Sequence, residues 1–400
     1  MYFQTMDDKA RCVGLYKDGK LIFDPAEIPH SLDGMRTWTY SGTLAGSDVD
    51  FGWLVANGQS LAEACPEELT PPFVRAAAKM RAFRRSFEIA KINFNDHCFF
   101  ELVPHDFLLQ FLQLKNQITE HVFENMEKPP NYEFLKRAHQ LLHKIKYQTL
   151  NVNGEGCRAL FTRSVHRSLA NKALQGPQTI DYNLFGTITG RLATYRDSFP
   201  ILTMHRELRQ LIKPHNNWFL SMDYNGAELR TALALSGLKQ PDYDVHEWNM
   251  EHVFKDRGPM SRETAKTLFF SWLYNPDSRA LDGEVYKRTE ILKNHYDGEY
   301  ITTSFGRKIK VDNRRAFNYI IQSTTADLVI DRAVKIDEYL KDYKSFVSHL
   351  VHDEIVIDLA TDEQYLVPQL RDLFKSNKLD DFMVNLKAGK DYYNLEKFAL

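Results

Sequence analysis

Two aspartates, Asp223 and Asp353, each stand beside a run of β-prone residues, and 130 positions separate them. Asp223 follows the apolar run 218–222 and precedes Asn225-Gly226, a strong turn signal. Asp353 lies between two β-rich runs, where a hairpin would turn. Carboxylates brought together in this way raise each other's pKa unless cations join them. Mg²⁺ favours a few carboxylates completed by substrate phosphates, and a pair of such ions serves in-line phosphoryl transfer.

A second pattern places two cations and two aromatic rings on one stripe of a predicted helix. These residues recur at every fourth position: Arg262, Lys266, Phe270 and Tyr274. Ser261 suits the start of this helix and Pro276 its end. The cations would bind a polyphosphate, and the rings would pack against a base or sugar. His246 is a further candidate cation. An amphipathic helix with a basic edge is the structural alternative.

The elements that position these residues belong to a chain that can bury a large core. Its 400 residues, 43% of them hydrophobic, suggest two or three subdomains. The mean hydropathy is −0.43, and no run of about 18 apolar residues occurs, so neither a membrane span nor a membrane partner is expected.

The N-terminus lacks the layout of a signal peptide, and residues 1–5 resemble the remnant of a cleaved tag, so they are set aside in predicting the fold. Four scattered cysteines without a C-x-x-C pair argue against zinc and disulfides and favour a reducing compartment.

Positive charge is concentrated in two stretches, although the net charge is only −2. Residues 75–91 hold Arg75, Lys79, Arg81, Arg84, Arg85 and Lys91 against Glu88. Residues 134–172 hold Lys136, Arg137, Lys144, Lys146, Arg158, Arg163, Arg167 and Lys172 against Glu155. Such stretches are typical of a surface that binds the phosphate backbone of a nucleic acid. Two ordinary solvated helix faces are the alternative.

The order of predicted elements is a small β-rich module, a helical arm and an α+β body. Short strands and turns fill residues 6–65, and apolar residues recur at helical spacing from about 73 to 150. Residues 179–243 mix strand, helix and loop, and residues 244–340 are predicted to be mostly helical. The hairpin of the second aspartate follows, and a mixed C-terminal tail ends the sequence.

Six short segments, in order over roughly residues 180–360, resemble motifs of family A, the bacterial polymerase I-like DNA polymerases. They are Thr189–Leu192 (T-G-R-L), Asp223–Arg230 (motif A), Arg262–Tyr274 (motif B), Phe305–Arg307 (F-G-R), Ala316–Asp327, and Val351–Glu354 (V-H-D-E, motif C). One short motif occurs by chance, but six in order are far more specific.

The resemblance implies a right-hand polymerase fold of the α+β class. A small N-terminal module (6–72) would precede a helical thumb (73–178). The palm (179–243 and 311–400) would carry the metal aspartates on an antiparallel sheet, and 244–310 would form the fingers. The polymerase portion would add deoxynucleotides to a primer 3′ end under the direction of a template.

The resemblance also assigns roles to residues. Asp223 and Asp353 would hold two Mg²⁺ ions, for which Mn²⁺ could substitute, with Glu354 as a third candidate ligand, and Lys266 would assist the leaving group. The nucleotide would be bound by Arg262, Lys266, Phe270, Tyr274, His246 and Glu228, the last being the family's steric gate against a 2′-hydroxyl. Primer–template DNA would be contacted by Arg191, Asn318, Gln322, Arg315 and Arg209. The expected protein is a monomer in bacterial or phage-infected cytoplasm, and the sequence identifies no accessory protein.

The sequence departs from the family pattern in motifs A and B. Motif B reads Phe269-Phe270-Ser271 and Tyr274-Asn275 where the family usually has glycines, which changes the backbone freedom of the helix. Motif A has the small pair Gly226-Ala227, from which we expect reduced fidelity or altered substrate tolerance. Asp48-Val49-Asp50 is a poor match to an exonuclease motif, so no 3′–5′ proofreading is expected.

Several alternatives remain open at the level of sequence. Glu228 could be an exposed glutamate at a helix start, and His352 and Glu354 could serve the hairpin alone. A single-subunit RNA polymerase shares the palm and the metals, and a catalytically silent DNA-binding replication factor could keep the fold.

Overall fold

The computed structural model describes residues 1–400 except 10, 45, 95, 163, 276, 279–280 and 282–284. Arg163 of the second basic stretch and Pro276, the expected helix end, therefore lie outside the described residues. The chain forms two compact units, Met1–Tyr147 and Gln148–Leu400. The boundary falls inside the range 73–178 predicted for the thumb.

The first unit combines short strands with long helices. Its strands are β1 (Phe3–Asp8), β2 (Arg11–Lys17), β3 (Lys20–Ile22), β4 (Arg36–Thr37) and β5 (Asp50–Phe51). Its helices are α1 (Gly52–Val55), α2 (Thr70–Ile89), α3 (Phe99–Leu102), α4 (His105–Asn125) and α5 (Tyr132–Lys146).

The first unit packs its three-stranded sheet, in the order β1-β2-β3, against α4. Met6 and Tyr16 of the sheet share an apolar cluster with Leu108 and Leu112 of the helix. Residues 3–5, which the sequence analysis set aside, begin β1, and the side chain of Phe3 is fully buried. Setting residues 1–5 aside was therefore wrong for the fold, because most of them are part of the sheet.

The second unit contains the remaining elements. Its strands are β6 (Asn151–Val152), β7 (Tyr182–Asn183), β8 (Ala193–Thr194), β9 (Ile212–Lys213), β10 (Trp218–Tyr224), β11 (Tyr300–Thr302), β12 (Lys308–Lys310), β13 (Phe346–Val351), β14 (Glu354–Leu359), β15 (Val384–Gly389) and β16 (Glu396–Lys397). Its helices are α6 (Ser164–Gln175), α7 (Ala227–Leu235), α8 (Val245–His252), α9 (Arg262–Tyr274), α10 (Arg288–His295), α11 (Asn313–Tyr339) and α12 (Val367–Lys375).

A five-stranded antiparallel sheet, in the order β13-β14-β10-β15-β16, forms the centre of the second unit. Asp223 lies near the end of the central strand, opposite Glu354 on one side and Asn385 on the other. The pair Val351↔Glu354 closes the β13–β14 hairpin, so His352 and Asp353 form its two-residue turn. Both predicted aspartate positions are confirmed, and both lie at this end of the sheet.

The helices of the second unit share a core in which α7, α9 and α11 meet. Leu229, Phe269 and Phe317 belong to this cluster, one from each helix. The predicted helix of the cation–aromatic stripe is confirmed as α9, whose start is capped by Ser261 accepting from the backbone N–H of Thr264 at 3.1 Å. The mostly helical prediction for 244–340 missed the β11–β12 hairpin. In the described part of the chain, no helix combines the length and apolar character that crossing a bilayer requires.

Candidate active site

A cavity of about 470 Å³ in the second unit collects most of the side chains with predicted chemistry. The predicted site residues in its lining are Asp223, Asp353, Glu228, Arg191, His246, Arg262, Lys266, Phe270 and Tyr274. They come from the segment just before β8, the end of β10, the start of α7, helices α8 and α9, and the β13–β14 turn. The fold thus brings together residues that the sequence spreads over more than 160 positions.

The charge of Asp223 acts on the carboxyl group of Asp353. Burial raises the pKa of the Asp353 carboxyl above its ordinary value, and the charge of Asp223 raises it further. Among the described residues, no group of three or more His, Cys, Asp or Glu side chains forms a self-contained metal cluster. Two carboxylates beside a cavity fit a divalent ion that completes its shell with phosphate and water. The residues therefore fit a Mg²⁺ ion whose coordination is completed by the phosphates of a substrate.

Asp223 has two polar partners on the neighbouring strand β15, which the sequence analysis missed. Asn385 donates its Nδ2 hydrogen to Oδ2 of Asp223 at 3.1 Å, and Lys387 donates from Nζ to Oδ1 at 3.0 Å. Both arise from the β10–β15 register, which pairs Asp223 with Asn385 and Ser221 with Lys387. No local sequence signal links these segments, since cross-strand partners are set by register.

Glu354, the third candidate metal ligand, is held by structural hydrogen bonds. Its two oxygens accept from the hydroxyls of Ser221 at 2.5 Å and Tyr392 at 2.8 Å. Glu354 is not among the residues that line the cavity. Arg209, a predicted DNA contact, packs over the ring of Tyr392 at 4.7 Å. These contacts favour a role for Glu354 in supporting the sheet beneath the site.

Glu228 is buried, so the interpretation as an exposed helix-start glutamate is wrong. Only 6% of its surface is exposed. Arg191 forms an ion pair with one carboxylate oxygen, and the Tyr274 hydroxyl donates to both oxygens at 2.9 and 2.7 Å. Burial and the adjacent Glu228 raise the pKa of Tyr274 to about 12. The carboxylate is therefore fixed at the wall of the cavity by two elements.

The glycine at position 226 has a local backbone reason. Gly226 precedes α7 with φ 70° and ψ 57°, in the left-handed region. A Cβ there would approach Cγ1 of Val245 to 2.6 Å. The turn therefore requires glycine whatever its effect on substrate selection, and the expectation of reduced fidelity stays a prediction.

Asp244 organises the cationic side of the cavity. Its carboxylate accepts from the backbone N–H groups of His246 and Glu247, from Asn225 at 2.8 Å, and from Nε and Nη2 of Arg262 at 3.1 and 2.8 Å. Burial opposes ionisation, but the hydrogen bonds from Arg262 and Asn225 outweigh it and lower the pKa of Asp244. Asp244 was not among the predicted site residues, although its position just before α8 is an N-cap signal.

His246 differs from the prediction in its charge. Burial, together with the positive charges of Arg262 and Lys266, lowers the pKa of His246 to about 4. Its imidazole is therefore neutral near pH 7 and can offer an N–H hydrogen bond, whereas the sequence analysis expected a cation. Farther along α9, the rings of Phe270 and Tyr274 stack with centroids 5.8 Å apart and planes at 19°.

No protein-family model matches this chain. Among curated proteins, the thermostable DNA polymerase I of Thermus thermophilus is 26% identical over 239 residues, covering 47% of this chain and 29% of that protein. The Thermus aquaticus enzyme gives the same values, and the Thermus filiformis enzyme is 28% identical over 233 residues, covering 45% of this chain and 28% of that protein. This chain therefore matches less than a third of the length of these relatives.

Among solved structures, the POL domain of Pol1 from M. smegmatis, in complex with DNA primer-template and dNTP, has a TM-score of 0.63. Its sequence is 14% identical to that of this chain. The match covers 98% of this chain and 95% of the POL domain. The chain resembles DNA polymerase I. The resemblance on which the sequence analysis relied is confirmed, as is the α+β polymerase fold.

The predicted minor-groove pair of this polymerase I-like chain lies on α11, outside the cavity. Gln322 is half-buried one helical turn before Ala326, which lines the cavity. Asn318 is also half-buried, and its Oδ1 is buried without a hydrogen-bond partner. Arg315 is exposed and ion-paired with Asp312 at 2.5 Å. The fold therefore leaves Asn318 with a free acceptor but engages Arg315 locally.

Other residues of the polymerase I-like motifs hold the fold. Arg307 of the F-G-R segment forms a buried ion pair with Asp327 at 2.6 Å. A Cβ at Gly190 of the T-G-R-L segment would lie 2.4 Å from Cζ of Arg307. Arg230, which ends motif A, is fully buried and donates to the carbonyls of residues 225, 241 and 243. Arg307 and Arg230 therefore support the site from outside the cavity, whereas Gly190 is part of its lining.

Proposed function

We propose that this chain is a template-directed DNA polymerase that adds deoxynucleotides to the 3′ end of a primer. One observation carries the proposal: a single cavity is lined by two repelling aspartates, by the cations of α9 and by the stacked rings of the same helix. The similarity to DNA polymerase I supports it. The assignments of thumb (73–178), palm (179–243 and 311–400) and fingers (244–310) are part of this proposal.

The α9 face would bind the nucleotide. Arg262 and Lys266 would meet the triphosphate as cations, and neutral His246 would donate a hydrogen bond to it. Phe270 and Tyr274 would pack against the base and sugar. Lys266 would also stabilise charge on the departing pyrophosphate, since an ammonium can both attract that group and donate a proton to it.

Asp223 and Asp353 would hold two Mg²⁺ ions, or Mn²⁺ in their place. Such ions, when bound, lower the pKa of the primer hydroxyl and neutralise the triphosphate. The chain's own contribution is to fix both carboxylates at one end of the sheet, where their repulsion favours cations.

Glu228 would select deoxynucleotides. Its carboxylate is buried and fixed by Arg191 and Tyr274. A change of rotamer that made room for a 2′-hydroxyl would break both contacts. This observation favours a DNA polymerase over the single-subunit RNA polymerase that the sequence left open.

The duplex would be held by exposed cations and by amides. In the first unit, the six cations of residues 75–91 are all exposed, which suits phosphate contacts. Lys136 of the second basic stretch is instead buried and paired with Asp48 at 2.7 Å. In the second unit, Asn318, Gln322 and Arg191 would contact the primer–template minor groove, whose acceptors every base pair offers.

We also propose that the chain lacks 3′–5′ proofreading. The carboxylates of its weak exonuclease-like segment are engaged in ion pairs. Asp48 pairs with Lys136 and Asp50 with Lys128, each at 2.7 Å. Aspartates paired with lysines in this way are poor candidates for a second metal site.

Primer extension with purified protein, Mg²⁺ and a primed template tests the proposal. Wild type should extend with deoxynucleotides far better than with ribonucleotides, and Asp353→Ala should not extend. Equal extension by both proteins would refute the metal assignment, and no extension by wild type would favour a silent DNA-binding factor. A 3′-mismatched primer should release no mononucleotides, and their release at a rate insensitive to Asp223→Ala and Asp353→Ala would contradict the lack of proofreading.

A further inference from the structure

The polar face of the β10–β15 pair contains a cation beside the candidate metal ligands. In an antiparallel pair, residues opposite each other project to the same face, and alternate residues of one strand share it. The register therefore places Asp223, Ser221, Asn385 and Lys387 on one face. Glu354 joins them from β14, where it pairs with Asp223.

Lys387 contacts one of the two aspartates directly. Its Nζ lies 3.0 Å from Oδ1 of Asp223, and the side chains are 31% and 23% exposed. Asn385 occupies the other oxygen of Asp223. Asp353, by contrast, has no ion-pair partner among the residues that the structure describes. The two aspartates therefore differ, because one already holds a cation that belongs to the chain.

We propose that Lys387 is a resident countercation that weakens divalent-ion binding at Asp223 until a nucleotide arrives. The inference rests on the proposed function, because it assumes that Asp223 and Asp353 hold metal ions. Lys387 occupies Oδ1, so an ion that binds Asp223 must displace the ammonium or bind close to its positive charge. A bound triphosphate adds negative charge to the cavity and shifts this balance toward the ion.

The charges around the site give Lys387 a second effect in the ion-free protein. Asp223, Asp353 and Glu354 would otherwise repel one another across the end of the sheet. The pKa of Glu354 is raised by burial and by the charge of Asp223, and the charge of Lys387 opposes that increase. Lys387 thus stabilises the empty site and reduces its affinity for ions at the same time.

Direct ion binding tests the inference without catalysis. Mn²⁺ is titrated into the full chain, without DNA or nucleotide, and free Mn²⁺ is followed by electron paramagnetic resonance. Lys387→Met should lower the Kd for Mn²⁺ by about tenfold, the scale expected for removing one partly exposed charge next to a ligand. Lys387→Arg, which keeps the charge, should stay within about threefold of wild type.

Lys390→Met is the matched control. Lys390 lies three residues farther along, donates to the carbonyl of Asn217 at 3.1 Å, and packs over the ring of Trp218. The Lys390→Met variant loses the same charge, but Lys390 does not contact Asp223. Its Kd for Mn²⁺ should therefore stay close to that of wild type. An equal decrease in Kd for both lysine variants would overturn the specific role of Lys387.

Two further variants separate the failure of this inference from that of the proposed function. Asp223→Asn and Asp353→Asn should each weaken Mn²⁺ binding strongly. If both bind Mn²⁺ like wild type, the proposed metal site is wrong. If both lose binding while Lys387→Met is unchanged, only the role of Lys387 is wrong.

Thermal unfolding supplies an independent readout. Lys387→Met should have a lower Tm than wild type in EDTA, because the carboxylates lose their countercation, and should gain more from added Mn²⁺ because ligand binding stabilises the folded state. Lys387→Gln carries the same expectations if the methionine variant does not fold. An unchanged Tm in EDTA together with an unchanged Kd would refute the inference.

Discussion

The sheet side and the helix side of the cavity are built differently. On the sheet side, the Asp223 side chain is 23% exposed and hydrogen-bonded on both oxygens. On the helix side, the side chain of Arg262 is 42% exposed, as is Tyr274. Asp223 is thus preorganised by strand register, whereas Arg262 of the proposed nucleotide-binding face depends on its hydrogen bonds to Asp244. Changes on the sheet side should affect chemistry, and changes on the helix side should affect affinity.

The largest effect should come from the aspartates. Asp223→Asn and Asp353→Asn should each lower the rate of primer extension by about 10³-fold or more. Each variant loses a carboxylate that would hold a metal ion at the point where negative charge develops in the transition state. Single-turnover extension at saturating nucleotide measures it. Less than about tenfold loss would mean that the sheet side is not the reaction centre.

Stability separates that loss from misfolding. Because the pKa of Asp353 is raised in the folded protein, its favourable contribution to stability is present at low pH and is lost as pH rises through the folded pKa. Without metal, ionisation of this carboxylate as pH rises therefore opposes folding. Asp353→Asn should have a Tm equal to or above that of wild type in EDTA, and a clear decrease would contradict the repulsion.

The next effect concerns selection at the wall of the cavity. Glu228→Ala should increase ribonucleotide incorporation relative to deoxynucleotide incorporation by roughly 10–100-fold, since it removes the buried carboxylate and leaves space for a hydroxyl. The ratio of kcat/KM values for matched nucleotides measures it. Arg191 and Tyr274 also lose their partner, so deoxynucleotide kcat should fall as well. An unchanged ratio would remove Glu228 from sugar selection.

Much of this site could be predicted from local sequence, because its most informative signals are local. Asp223 follows a β-prone run, Asp353 lies in a tight turn, and the α9 stripe repeats every four residues. The contribution of Lys387 could not be predicted, since it depends on register between strands more than 160 positions apart. The partners of Glu228 could not be predicted either, because Tyr274 belongs to another helix and Arg191 to a segment 37 positions away.

A moderate effect should follow from loosening the helix side. Asp244→Ala should raise the KM for deoxynucleotide by about tenfold with a smaller change in kcat, because Arg262 loses its charge-assisted hydrogen bonds and its orientation. Glu263→Ala is the matched control, since Glu263 also contacts Arg262, at 3.3 Å, but its side chain is 76% exposed. Its KM should stay near that of wild type. Equal effects of both variants would mean that Asp244 has no special role in positioning.

The smallest effect should come from His246, and it tests what kind of group the helix side offers to phosphate. With a pKa of about 4 in the free protein, this imidazole is neutral from pH 6 to 8 and should show no titration in that range by NMR. Burial and the cations at 262 and 266 lower the pKa of His246 more than Asp244 and Glu263 raise it, and a bound polyanion would raise it further. His246→Gln keeps an N–H donor without a titratable ring, and its KM should lie within about threefold of wild type. A free-protein pKa above 6, or a KM for the glutamine variant as high as that of His246→Ala, would mean that the phosphate is met by a charged imidazole. In that case the helix side would bind phosphate through three cations.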